Sequence, residues 1–243
     1  LSFPFVQKSR TSGYDGKGVS VIRSEKDLNL LMPEASVVEE MVEIEKEIAV
    51  VVARNEQGEV AAFPPVEMDF NPAANLVEFL VCPAHLEPAI AAEAEELTRQ
   101  TIEKYNLCGL LAVELFLTKT GSLLINEVAP RPHNSGHHTI DSCYTSQFEQ
   151  HLRAILGLPL GSTKMKTASV MVNLLGEPGF SGAVRYEGMA ECLAMEGVKI
   201  HLYGKQETKP FRKMGHATIL AATPETALAK AKTVKNTFHI VVW

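Results

Sequence analysis

The sequence predicts a mixed α/β protein of the α+β type, with mainly antiparallel sheets and a smaller α/β unit at its carboxy end. Three observations support this. Apolar runs of strand length are joined by short turns, Asn55-Glu56-Gln57-Gly58 and Thr118-Lys119-Thr120-Gly121, which return the chain antiparallel. One long helical period, Leu86, Ile90, Ala94, Leu97, Thr101 and Ile102, interrupts them between Pro83 and Tyr105. From Ala168 onward, strands and helices alternate more tightly.

Element by element, Phe3 to Ser9 and Val19 to Ile22 read as strands around a loop that holds three glycines in the six residues Gly13-Tyr14-Asp15-Gly16-Lys17-Gly18. Such a loop is expected to be mobile. Ser24 to Met32 suits a short helix, with Ser24 as N-cap and Asp27 completing a weak capping box. Ser36 to Met41 and Glu47 to Arg54 are expected strands, the second turning at Asn55 to Gly58 into Val60 to Phe63. After the long helix, Gly109 ends that unit, and Leu110 to Leu117 and Ser122 to Val128 form a hairpin. Ser146 to Leu156 reads as a helix closed by Gly157. The last third is expected as strand Ser169 to Leu175, helix Val184 to Met195, strand Val198 to Tyr203, strand His216 to Ala222 and helix Pro224 to Asn236.

The 243 residues, 46% of them hydrophobic, suffice for a core without disulfide staples. A net charge of −6 counts against nucleic acid as the main partner while permitting a local basic pocket. The four cysteines are widely spaced, which favours free thiols in a reducing cytoplasm. No run of about 18 apolar residues exists, so no membrane span is expected. The first residues, Leu1 to Lys8, already read as a strand without an initiator methionine, as a fragment would.

Asn126 to Thr139, Asn-Glu-Val-Ala-Pro-Arg-Pro-His-Asn-Ser-Gly-His-His-Thr, gathers a carboxylate, a guanidinium, three imidazoles and two amides after an apolar strand. Its prolines and glycine bar a regular helix or central strand, so the chain leaves a strand at Val128 as a polar loop. Glu114 and Glu127 are symmetric about Thr120-Gly121. If those two residues form the turn, the acids face each other with Cβ atoms about 5 Å apart. Opposed carboxylates suit a shared hard cation, magnesium above all. The alternative is a solvated edge hairpin whose acids never meet.

The Gly13 to Gly18 loop offers backbone amides and Lys17 to phosphate oxygens, with Lys8 and Arg10 just before it. Its spacing is not that of a P-loop. The acidic run Glu39, Glu40, Glu43, Glu45 and Glu47 is either a wet surface or, through Glu39, the Met41-Val42 backbone and Glu47, a set of partners for adenine and ribose. His133, His137 and His138 lack zinc-site spacing, and Arg131, His133 and Asn134 are better donors to an oxyanion. Lys205, Lys209, Arg212, Lys213 and His216 cluster within twelve residues, favouring a phosphate-bearing ligand over a merely solvated face.

These segments, with Ser146-Gln147-Phe148-Glu149, Ser169 to Gly176 and Arg212-Lys213-Met214-Gly215-His216, resemble the 5-(carboxyamino)imidazole ribonucleotide synthetase family of ATP-grasp enzymes along essentially the whole chain. The resemblance implies residues 1–40 as the remainder of a lid subdomain, 41–165 as the central ATP-grasp subdomain and 166–243 as a small closing domain. It implies ATP held by Lys8, Gly13 and Gly16 at the phosphates, Glu39, Met41 and Val42 at adenine, and Glu47 at ribose. Glu114 and Glu127 would hold Mg2+. Tyr14, Asp15, Lys17, Arg131, His133 and Asn134 would serve the reaction, and Lys205, Arg212 and Lys213 the substrate. The implied substrates are aminoimidazole ribonucleotide and bicarbonate, joined through carboxyphosphate in the cytoplasm, with a homodimer as the family expectation. The family's amino-terminal domain is not among these residues, which implies weak or absent activity for this chain alone. A formate-dependent glycinamide ribonucleotide transformylase or a non-catalytic nucleotide-binding fragment is the alternative. Where many ATP-grasp enzymes place a metal-binding asparagine the chain has Ala129, and strand alternation would turn Asn126 to the other sheet face.

Overall fold

The computed structural model describes residues 2–11, 18–71 and 76–243. β1 (Phe5–Ser9), β2 (Val19–Ile22) and β3 (Ser36–Glu40) form a small sheet in the order β2-β1-β3. Between β2 and β3, Glu25–Leu30 is a 3-10 helix rather than an α-helix. The Asp27 carboxylate reaches back to the backbone N–H groups of Ser24 and Arg23, both at 3.0 Å, as the expected box requires.

Residues 41–43 lead into β4 (Ile44–Arg54), followed by β5 (Val60–Ala62), β6 (Val66–Asn71) and β7 (Leu76–Cys82). The helix α1 (Pro88–Lys104) precedes the hairpin of β8 (Gly109–Thr118) and β9 (Leu123–Ala129). Pro88 at the first helical turn fits, because its missing N–H has no partner to lose there. The short α2 (Thr139–Ser142) and α3 (Gln147–Ile155) follow, with Ser146 accepting from Glu149 N as the N-cap of α3. The remaining elements are β10 (Ala168–Leu175), β11 (Gly182–Glu187), α4 (Met189–Leu193), β12 (Val198–Leu202), β13 (Glu207–Thr208), β14 (Lys213–Ala221), α5 (Pro224–Thr237) and β15 (His239–Val242).

The helix expected over Val184 to Met195 is instead mostly strand. Val184 and Tyr186 alternate inward in β11, which pairs with β15, and Gly188 at φ +73° breaks the chain before the one short turn of α4. Strand pairing with a segment more than fifty residues away overrides the local helical period.

Among the described residues, nine strands form one antiparallel sheet, β12-β14-β10-β7-β6-β4-β8-β9, with β5 attached to β4. The β7–β10 pair, Ser169 opposite Cys82 through Val172 opposite Phe79, carries this sheet from the central region into the last third without a break. β4 is apolar on both faces because both are covered. Ile48, Val50 and Val52 pack toward α1 with Leu111, Val113 and Leu115, while Val51 and Ala53 pack the other way with Leu110, Ala112 and Ala154. A third core lies under α5, where Ala227, Ala231 and Val234 meet Val170, Val172 and Ile219. No helix among the described residues is long and apolar enough to cross a membrane. All four cysteines are free, as their spacing predicts.

Candidate active site

Glu114 on β8 lies directly opposite Glu127 on β9. The route to that pairing differs from the two-residue turn the sequence suggests. Thr118 N donates to Ser122 O at 2.9 Å, so the loop comprises three residues, 119–121, closed by Gly121 at φ +83°. This shifts the register by one, Leu115 pairing with Ile125, and a bulge at Asn126 shifts it back. Alternation counted from Val128 puts Glu127 on the face of Glu114, and counted from Leu123 it puts Asn126 there as well. Asn126 is therefore not on the opposite face. Its Oδ1 accepts from Lys8 Nζ at 2.8 Å, across to the small sheet.

The oxygens of Glu114 and Glu127 and a ring nitrogen of His133 all lie within 4.8 Å of one another. Burial first, then the charges of Glu127 and Glu47, push the Glu114 carboxyl up to about 7, against an opposing pull from Lys213. Glu47 is itself raised by burial. Four side chains from β4, β8, β9 and β14 thus act on one point. Lys213 acts on Glu114 across the sheet, a relationship that no sequence spacing reveals.

His133 approaches Glu114 Oε1 through Nε2, at 3.6 Å. Its Nδ1 accepts from Ser135 N, so in the neutral ring Nε2 carries the hydrogen. That makes His133 a donor toward the acidic pair in the cation-free protein. The two carboxylates are the groups that fit a hard divalent ion. His137 and His138 diverge from this point. His138 is buried on Ser142 Oγ at 2.9 Å, and burial lowers it to about 3. His137 stacks between Phe148 and His216, with ring centroids at 5.8 and 4.9 Å, and burial lowers it to about 4. His216 stacks in turn on His201, at 4.6 Å, and His201 Nε2 meets Asp141 Oδ2 at 2.8 Å.

The loop is fixed from beneath by residues to which the sequence assigns no role. Gln147, fully buried at the start of α3, bonds both backbone groups of His133. Asn134 exchanges amide hydrogen bonds with Asn173 of β10. Asn134 is thus engaged with protein, while Arg131 is exposed and donates to Pro132 O at 3.2 Å.

Lys8 pairs with Glu39 at 2.7 Å, joining two residues assigned to opposite ends of the nucleotide. Met41 and Val42 lie in the link between the small and large sheets. Glu47 borders a groove of about 450 Å³ lined also by Glu45, Lys46, Asp69 and Phe70. Lys205 donates to Lys213 O and Arg212 to Glu207 O at 2.7 Å, which gathers the basic loop around the start of β14. Gly13, Tyr14, Asp15, Gly16 and Lys17 lie outside the described residues.

Residues 1–148 match the family described as ATP-grasp domain, and 169–230 the family described as phosphoribosylaminoimidazole carboxylase C-terminal domain. The chain belongs to the ATP-grasp family, within its N5-carboxyaminoimidazole ribonucleotide synthetase branch. It is 43% identical over 224 residues to the N5-carboxyaminoimidazole ribonucleotide synthase of Bacillus subtilis, covering 90% of this chain and 57% of that protein. The chain thus spans little more than half the length of that relative. The synthetase structure from Thermotoga maritima matches with a TM-score of 0.92 and 48% identity, covering 100% of this chain and 64% of that one. An Aspergillus clavatus structure, described as the synthase in complex with ADP and 5-aminoimidazole ribonucleotide, matches with a TM-score of 0.86 and 31% identity, over 98% of this chain and 62% of that one.

Proposed function

We propose that this chain supplies the nucleotide-binding and metal-binding region of a ligase that carboxylates the exocyclic amine of 5-aminoimidazole ribonucleotide, using ATP and bicarbonate, in purine biosynthesis. The observation that carries this reading is the convergence of Glu114, Glu127 and the His133 ring within 4.8 Å, with Lys213 acting on Glu114. The Aspergillus neighbour, with ADP and the ribonucleotide, supports the choice of substrates.

In this proposal a bicarbonate oxygen attacks the γ-phosphorus, the bond to ADP breaks, and the resulting carboxyphosphate yields phosphate and carbon dioxide. The amine then bonds the carbon and loses its proton. Glu114 and Glu127 would hold Mg2+, which would supply positive charge to the phosphates during transfer. Lys213, Lys205, Arg212 and Arg131 supply positive charge where anions collect. His133 Nε2–H and Asn134 stand as donors to the carboxyphosphate. Lys8 with Gly13 and Gly16 binds phosphates, and Tyr14, Asp15 and Lys17 serve the substrate and the intermediate. Glu39, the Met41-Val42 backbone and Glu47 receive adenine and ribose. The division into a lid remainder (1–40), a central unit (41–165) and a closing unit (166–243) belongs to the same proposal, as does a cytoplasmic location. A homodimer is included too, with the exposed Leu152 (54%) and Leu156 (66%) offering apolar surface.

The test is ADP release by the complete protein, with bicarbonate and formate compared as phosphate acceptors. Release that requires both the aminoimidazole ribonucleotide and bicarbonate is expected. Equal or greater release with formate would replace this reading with a formyl transfer, and sedimentation would settle the dimer.

A further inference from the structure

Gln147 occupies an unusual position among the polar residues near the site. It is fully buried, and its amide makes three hydrogen bonds to one loop. Oε1 accepts from His133 N at 2.9 Å, and Nε2 donates to His133 O at 2.8 Å. The same Nε2 meets His137 Nδ1 at 2.9 Å.

The chemistry of the partners fixes every hydrogen. A backbone N–H can only donate, so the amide oxygen must face His133 N. A backbone carbonyl can only accept, so the NH2 group must face His133 O. The second amide hydrogen then points at His137 Nδ1, which has to accept it. His137 therefore carries its own hydrogen on Nε2, like His133, whose Nδ1 accepts from Ser135 N. A charged His137 ring would put two donors face to face with Gln147. Its pKa, lowered first by burial and then by the positive charges of Lys213 and His201, agrees with a ring held neutral.

Two further contacts show that the arrangement is built for this amide. A Cβ on residue 136 would collide with the Gln147 amide, so Gly136 leaves the room it occupies. Gln147 N donates to Thr139 Oγ1 at 2.9 Å, and Thr139 Oγ1 donates to Gly136 O at 2.6 Å, bracing the two segments against each other.

We propose that Gln147 is a positioning residue: one buried amide holds the His133 backbone so that its ring meets Glu114, and dictates which nitrogen of His137 bears hydrogen. Its kinetic consequence rests on the ligase reading above; its structural consequence does not.

The test uses the complete protein labelled with 15N-histidine, unaltered and as Gln147→Glu and Gln147→Met. In the unaltered protein, His137 Nδ1 should show the resonance of a nitrogen without hydrogen. In Gln147→Glu the carboxylate can only accept, so His137 Nδ1 should gain a hydrogen. The kcat for ADP release should fall about 100-fold in both variants while KM for ATP stays within about threefold, as expected when a reacting group is misplaced and nucleotide contacts remain. Hydrogen on His137 Nδ1 in the unaltered protein would overturn the proposal, and that reading needs no variant to fold. An unchanged kcat in folded Gln147→Met would overturn it as well. If the unaltered protein releases no ADP, the ligase reading fails, and the nitrogen resonances alone decide the role of Gln147.

Discussion

The side-chain amides of Asn134 and Asn173 exchange two hydrogen bonds, at 2.9 and 3.1 Å, and Asn173 Nδ2 also reaches Val77 O at 3.0 Å. One buried amide on β10 thus ties the polar loop to the centre of the large sheet. Replacing Asn173 with Ala leaves the Asn134 amide and a carbonyl without partners, and should cost about 1–3 kcal/mol of stability. Urea denaturation measures this, and the variant should lose turnover beyond its loss of folded protein, because His133 is the next residue to Asn134.

Glu127→Gln should reduce divalent-dependent turnover by about 100-fold or more, the scale on which a charge-stabilising group acts. It also removes one of the charges that raise Glu114, so the Glu114 carboxyl should titrate closer to its ordinary value of 4.5. Carboxyl resonances followed against pH would show that fall directly. No change in either quantity would separate the acidic pair from the chemistry.

Divalent-ion affinity should depend on pH through Glu114, whose carboxyl titrates near 7 rather than 4.5. A cation needs the ionised form, so below pH 7 binding must displace a proton. Apparent affinity should rise up to about tenfold per pH unit between pH 5 and 7, then level off. Calorimetric titration in buffers of different ionisation heat would count the released proton.

Acid should destabilise the fold through His137, lowered to about 4 from 6.5, and through His138 and His216, both lowered to about 3. In the unfolded chain these rings take up protons as pH falls through 6.5, while in the folded protein they do not, so unfolding is favoured as pH falls from 6.5 toward 3. Glu114 acts in the opposite sense. Its raised pKa makes the cation-free fold lose stability as pH rises from 4.5 to 7. Three imidazoles outweigh the raised carboxyls of Glu114 and Glu47, so stability should drop by about 1–3 kcal/mol per pH unit between 6 and 5, measured by denaturation without metal.

The acidic pair was legible from the sequence for a reason only half correct. Counting from a two-residue turn places Glu114 opposite Glu127, whereas the loop uses three residues and Asn126 supplies the compensating bulge. Two one-residue shifts cancel, and neither leaves a mark in the hydrophobic pattern. The same bulge is why alternation misplaced Asn126. Helices with their own caps, such as α3 behind Ser146, could be read locally. β11 could not, since its partner β15 was unassigned and Val184 to Met195 carries enough apolar residues to mimic a helix. Gln147 stood within a recognised segment, yet nothing in a linear chain says that its amide folds under a backbone fourteen residues earlier. The sequence marks Lys213 only as a cation for phosphate, and the sheet brings its charge to Glu114.

The β7–β10 seam makes the last third of the chain a mechanical extension of the sheet that bears the acidic pair. Severing the backbone between Met165 and Ala168 and parting the halves would bare one matching strand border on each. Produced together, the halves would find each other through those borders; produced singly, each would stick to its own copies.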